Sequence, residues 1–211
     1  MKSKKQSRRL GPIHRVRLKL ENFHYKHFSA DAEMARFERR KKGISDRMFK
    51  SAAEKCGYGG ITTDSVTVWS YPNLLDYTHA LGDYHYDYDI LRRLFRNRLR
   101  GKKIVHLGGN FGVFMLFLQE VKKARAMVVD PDKVAESVAK EFGLKNFLRA
   151  TAQRTTLPNN SVDCLFAIGL LDRTYLRMGV TPKEIKKNFE DVFRESARVL
   201  KPGGFFCNST S

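Results

Sequence analysis

Three cysteines in 211 residues, Cys56, Cys164 and Cys207, form no C-x-x-C pair and no metal-ligand spacing. Neither a disulfide framework nor a zinc site is therefore expected, and this usage fits a reducing cytoplasm. No run of eighteen or more apolar residues occurs, so a membrane-spanning helix is not expected. The opening segment, Met1 to Leu10, lacks the apolar centre of a secretion signal. It carries Ser and Arg, with no acid before Glu21. That leaves organellar targeting open beside the plainer reading, a solvated basic arm. Acids are scarce throughout: 22 Asp and Glu stand against 40 Lys and Arg, a net charge of +18. The imbalance is uneven, with 16 bases against 5 acids in residues 1 to 50 but 6 against 6 in residues 51 to 100. A patch of that kind attracts RNA or another polyanion by counterion release, without reading sequence. No recognised RNA-binding motif accompanies it.

What is present is most telling in the middle of the chain. Lys103-Ile-Val-His-Leu-Gly-Gly-Asn-Phe-Gly112 reads as a strand followed by a glycine-bearing turn and the start of a helix. Ala126-Met-Val-Val-Asp130 then reads as a second strand ending in a carboxylate. A helix opening in such a turn aims unpaired N–H groups at whatever lies above the strand tip. An acid at the next tip can accept two hydrogen bonds from vicinal ribose hydroxyls. Together these features predict a pocket for a nucleoside-containing cofactor. The dinucleotide fingerprint G-x-G-x-x-G does not fit, because Gly108, Asn110 and Gly112 fall at every second position and Val113 follows.

Two later segments complete a pattern. Thr156-Leu-Pro-Asn-Asn-Ser-Val-Asp163 leads into the apolar Cys164 to Ile168, and Arg194-Glu-Ser-Ala-Arg-Val-Leu-Lys-Pro-Gly-Gly204 closes the series. From roughly residue 90 to 211 the chain resembles the class I S-adenosylmethionine-dependent methyltransferases. Carried over position by position, the resemblance implies cofactor-binding roles for His106, Gly108, Gly109, Asn110, Gly112, Asp130, Pro131, Gln153 and Ile168. His106 stands where the family usually has an acid, Asn110 replaces the central glycine, and Gln153 stands where an Asp often meets the adenine amino group. Asn is the residue other than glycine that best tolerates a left-handed backbone. Two functional readings stay open: a methyltransferase acting on a small metabolite or RNA, or an inactive methyltransferase fold serving as a nucleic-acid or protein-binding module.

The chemistry of the acceptor is less legible. The family places it above the fourth strand, here Ala167-Ile-Gly-Leu-Leu-Asp172, which carries no Asn-Pro-Pro-Tyr motif and no Pro-Cys pair. Methylation of the adenine amino group in DNA and a covalent cytosine mechanism are thus unsupported. Asp172, His79 and His85 are candidate proton acceptors, and Tyr84, Tyr86 or Tyr88 could line the site; no catalytic residue is assigned.

The expected fold is α/β: a Rossmann-like, doubly wound, mostly parallel sheet with helices on both faces, over residues 84–211. Strands are expected near 103–108, 125–130, 146–150, 163–168 and 204–209, and helices near 111–122, 132–142 and 182–200. Residues 84–100 read as one amphipathic helix, with acids near its start and arginines near its end. A basic, mainly helical extension occupies residues 1–83: an arm, two short helices (one capped by Ser29 and stopped at Gly43, one from Ser45 to Gly57) and a strand at 65–70. The last two strands usual in the family are missing before Ser211, which leaves Phe205-Phe-Cys207 as an apolar edge. Strand 65–70 or a partner chain is expected to cover it, unless the sequence is a truncated product.

Overall fold

The computed structural model describes residues 30–56, 84–168, 170 and 181–208. Its centre is one five-stranded, all-parallel sheet in the order β3-β2-β1-β4-β5. The strands are β1 (Lys103–Leu107), β2 (Arg125–Val129), β3 (Phe147–Leu148), β4 (Val162–Phe166) and β5 (Leu200–Cys207). The helices are α1 (Ala30–Arg40), α2 (Ile44–Cys56), α3 (His85–Leu94), α4 (Val113–Lys122), α5 (Lys133–Glu141) and α6 (Pro182–Val199). This is the Rossmann-like α/β architecture expected from the alternating pattern. The segment expected as a strand at 65–70 lies outside the described residues.

Strand periodicity sorts the core into two layers. Ile104, Ala126, Val128, Cys164 and Phe166 face a layer shared with Phe114, Met115 and Phe117 of α4, and Met34, Phe37, Met48 and Leu91 of the first three helices join it. Val105, Leu107, Val129 and Leu165 point the other way, against Val192 and Val199 of α6, and Val162 joins them because the register shifts between it and Cys164. Alternate side chains leave opposite faces of a strand, so both faces need a cover. Three carboxylates tie the first helices to the sheet's own helices: Glu33 of α1 meets Lys122 of α4 at 2.9 Å, Glu120 of α4 meets Lys41, just past α1, at 2.7 Å, and Glu141 of α5 meets Lys55 of α2 at 2.6 Å. The Tyr88 hydroxyl also donates to Glu33, and burial pushes that phenol's pKa up.

Most element boundaries follow the sequence pattern, and three differ for local reasons. The helix expected over 84–100 ends at Leu94, because Arg96 and Asn97 adopt left-handed backbone at φ +47° and +60°. That turn lets Leu99 re-enter the core, 1% exposed. The third strand shrinks to two residues. The fifth begins at Leu200, earlier than expected, and absorbs Lys201-Pro-Gly-Gly204 through a register shift between Val162 and Cys164. The start of α6 matches expectation: Thr181 and Glu184 form a reciprocal capping box, with Pro182 at the first helical position. Phe205 and Phe206 on β5 meet Phe95 and Phe193 edge to face, at 5.6 and 5.5 Å.

Candidate functional site

Parallel pairing brings the tips of β1 and β2 side by side, with Leu107 opposite Val129. The chain leaves β1 through Gly108, whose N–H donates to the Val129 carbonyl at 2.8 Å, so the loop starts pressed against the neighbouring tip. It then takes positive φ at every second residue: Gly108 +64°, Asn110 +51° and Gly112 +72°. This is the physical reason for small residues at alternate positions, and Asn110 takes the left-handed turn that the sequence allowed it. At Gly112 a Cβ would lie 2.7 Å from Val128 Cγ2 and 2.9 Å from Leu144 Cδ2. Only glycine lets α4 start so close to the sheet. The N-cap position of α4 is Gly112, which has no side chain to cap the helix.

Asp130 closes the arrangement. It is 7% exposed, its Oδ2 accepts the Asn110 N–H at 3.0 Å, and its Oδ1 accepts the Asp132 N–H at 2.9 Å. The first bond joins the β1 loop to the β2 tip directly. Burial is the main reason its pKa rises to about 6; the two backbone N–H donors pull the other way, and Asp132 adds a smaller push upward. Asp132 itself caps α5, accepting the N–H groups of Val134 and Ala135 at 2.6 and 3.0 Å.

His106 sits one strand over and is 2% exposed. Among the described residues neither ring nitrogen has a hydrogen-bond partner. Desolvation lowers its pKa to about 4, so the ring is neutral. Its imidazole lies beneath Gly109, where an added Cβ would come within 2.9 Å of the ring, and meets Tyr84 edge-on at 5.9 Å. Tyr84 in turn stacks on Phe114 at 4.9 Å. Of the three tyrosines considered, Tyr84 alone touches His106: Tyr88 is buried in the core and Tyr86 is 63% exposed.

The remaining candidates follow the ends of β2, β3 and β4 in the chain. Pro131 is half-buried between Asp130 and Asp132, and Ile168 is half-buried just past β4, packed on the α4 side of the core. Gln153 lies in the turn closed by the Thr151 and Arg154 bridge. The next residues of that loop are anchored by Glu195 of α6, which accepts the Thr155 N–H at 2.7 Å and hydroxyl at 2.6 Å. Arg198, first, and then Thr155 hold the Glu195 carboxyl down at about 2 despite burial. His79 and Asp172 lie outside the described residues. Sequence reasoning missed two contributors. Leu170 covers Gly108, its Cδ1 2.9 Å from where a Cβ would be, and Asp132 braces Asp130. The pattern Asp-Pro-Asp ahead of an amphipathic stretch is an N-cap signal that could have flagged the second.

A parallel sheet whose first loop is glycine-rich and whose second strand ends in a buried acid defines a class: Rossmann-like nucleoside-binding domains. Within that class the match is specific. Residues 105–208, just under half of the chain, match the model of a family described as a methyltransferase domain. No curated protein sequence matches the chain. Among solved structures, a Galdieria sulphuraria protein assigned as a sarcosine dimethylglycine methyltransferase is 18% identical over 78% of this chain and 58% of its own, with a TM-score of 0.52. An S-adenosylmethionine-dependent methyltransferase from Mesorhizobium loti is 24% identical over 61% of this chain and 55% of its own, with a TM-score of 0.45. A type II methyltransferase assigned in Anaeromyxobacter dehalogenans is 22% identical over 58% of this chain and 46% of its own, with a TM-score of 0.44. The chain thus spans about half the length of these proteins.

A methyltransferase domain implies S-adenosylmethionine as cofactor, and the residues at the tips fit it. Asp130 is a buried carboxylate with no cation among the groups that shift it. Each of its oxygens spends one lone pair on a backbone N–H and keeps another, which suits a pair of vicinal hydroxyl donors. Among the described residues, no helix is long and apolar enough to cross a membrane.

Proposed function

We propose that this chain is an S-adenosylmethionine-dependent methyltransferase acting on a small metabolite or an RNA acceptor. The observation that carries the reading is Asp130: a carboxylate 7% exposed, braced by the glycine-rich loop and with no cationic partner among the described residues. When bound, the cofactor supplies a methyl group already activated by a sulfonium charge. The protein then needs mainly to align donor and acceptor.

In this reading Asp130 accepts the ribose hydroxyls, and the backbone of Gly108, Gly109, Asn110 and Gly112 lets the ligand approach closely. Pro131 and Ile168 would complete the cofactor-binding set, and Gln153 would accept from the adenine amino group. The neutral His106 offers one donor and one acceptor toward the amino-acid end, in place of a charged acid. The base that would take the acceptor's proton is left unassigned. The cysteine usage, three in 211 residues with no C-x-x-C pair, supports a reducing compartment such as the cytoplasm. The basic arm and a partner covering the β5 edge remain part of the proposal.

Calorimetric titration of the full chain with S-adenosylmethionine tests it. Saturable binding with a raised unfolding temperature is expected. No heat and no stabilisation at millimolar ligand would end the enzymatic reading and favour a binding module that keeps only the fold.

A further inference from the structure

The opposite end of the sheet, where the strands begin, carries a different chemistry. Seven bases and no acid lie between Asp89 and Glu120, all of them in residues 92 to 103, which finish α3 and lead into β1. Backbone hydrogen bonds gather this loop beside the start of β2: Gly101 N–H donates to the Lys123 carbonyl at 3.0 Å, and Arg125 N–H donates to the Lys102 carbonyl at 2.8 Å. Arg96, Arg98, Arg100, Lys123, Arg125 and, at the start of β3, Lys145 are all exposed. None of these six makes an ion pair among the described residues.

The acids at this edge are already engaged. Asp163 accepts the Lys103 N–H and the Lys201 ammonium, each at 2.8 Å, and Glu120, three residues before Lys123, holds Lys41 at 2.7 Å. Burial, and then the charges of Arg125 and Lys201, lower the pKa of Lys103, so cations from β1, β2 and β5 feel one another here. With neighbouring strands about 4.8 Å apart, the free cations leading into β1, β2 and β3, three neighbours in the sheet, line an edge on the order of 10 Å wide.

We propose that this N-terminal edge of the sheet is a docking surface for the phosphate backbone of RNA. Four of the six free cations are arginines, whose planar forks match phosphate oxygens two at a time. A lipid surface fits less well, because insertion needs exposed apolar side chains. The exposed large hydrophobics among the described residues are Tyr86 in the first turn of α3 and Phe193 within α6, and neither belongs to this edge. The surface lies at the far end of the strands from Asp130, so the proposal stands independently of the methyltransferase reading. It also differs from a role for residues 1–29, since it rests on the folded domain.

The test is fluorescence anisotropy of the full chain with a labelled, mixed-sequence, 20-nucleotide single-stranded RNA, across a salt series. The variant Arg98→Glu/Arg100→Glu/Arg125→Glu is expected to bind at least tenfold more weakly. The slope of log affinity against log salt should shrink by about 2, from three phosphate contacts at roughly 0.7 each. Wild-type affinity with an unchanged slope would overturn the proposal and leave all binding to the N-terminal arm. Tighter retention on phosphatidylserine vesicles than on RNA at equal salt would overturn it as well. An unchanged circular dichroism spectrum checks the fold. Should charge reversal unfold the chain, the triple Gln variant replaces it, with the same expected loss of slope.

Discussion

Two neighbouring strand tips hold buried titratable groups in opposite ways. At the β2 tip Asp130 is surrounded by donors, a backbone N–H on each oxygen, and its pKa still rises to about 6. At the β1 tip His106 has no partner for either nitrogen among the described residues, and its pKa falls to about 4. Burial pushes both toward the uncharged form. The difference is that Asp130 sits in a frame of donors suited to the charge a ligand would stabilise, whereas His106 offers a neutral ring with unspent hydrogen-bonding capacity. The site is thus assembled around one carboxylate rather than two.

The turn between the tips keeps them in register, and disturbing it should have the largest effect. Gly112→Val would force a side chain into Val128 and Leu144 at a φ of +72°. A loss of about 3 kcal/mol or more in denaturant unfolding is expected, from left-handed strain plus overpacking. A loss within 0.5 kcal/mol, on the scale of ordinary surface substitutions, would show that α4 can shift away from the sheet.

Stability against pH separates the two groups. Asp130 has a folded pKa above its unfolded value, so its contribution is fully present below about pH 4 and is lost as pH rises through 6. His106 is depressed; its contribution is present above its unfolded value near 6.5 and is lost as pH falls through 4. Each amounts to about 3 kcal/mol at most, at 1.36 kcal/mol per unit, and the two offset each other across this window. His106→Leu should therefore make stability fall as pH rises from 4 to 6, while Asp130→Ala should make it rise. Parallel slopes in the two variants would refute the opposed-tip description.

Removing the carboxylate also tests its use. Asp130→Ala should weaken S-adenosylmethionine binding by roughly 5- to 150-fold, the cost of about 1–3 kcal/mol of charged hydrogen bonding. Unchanged calorimetric affinity would mean that Asp130 only braces the loop. The smallest effect belongs to Asn110→Gly. A φ of +51° suits either residue, so stability should change by less than about 1 kcal/mol and cofactor binding should persist. Loss of binding would show that the Asn side chain has a role glycine cannot fill.

Much of this geometry was readable from residue order because local rules and tertiary packing agree. Thr181-Pro-Lys-Glu184 announces a capped helix, and small residues at 108, 110 and 112 announce a turn of alternating left-handed steps. Where the reading overran, a local break won. The α3 stripe continues past Leu94 in sequence, but Asn97 tolerates left-handed backbone and the chain turns there. Lys201-Pro-Gly-Gly204 looks like a stop before a strand, yet the structure keeps it inside β5 as an irregularity. The brace between Asn110 N–H and Asp130 spans twenty positions, and no local pattern reports a backbone donor meeting a distant carboxylate. The cations of the N-terminal edge were visible only as charge, because strand order decides which of them meet.

The most direct check on the central claim is the proton count on cofactor binding, measured by calorimetry at pH 6 in two buffers of different ionisation heat. A carboxylate half-protonated near this pH that then accepts two hydroxyl donors must shift toward its charged form, so binding should release about half a proton. Binding heat independent of the buffer, or proton uptake, would contradict the account.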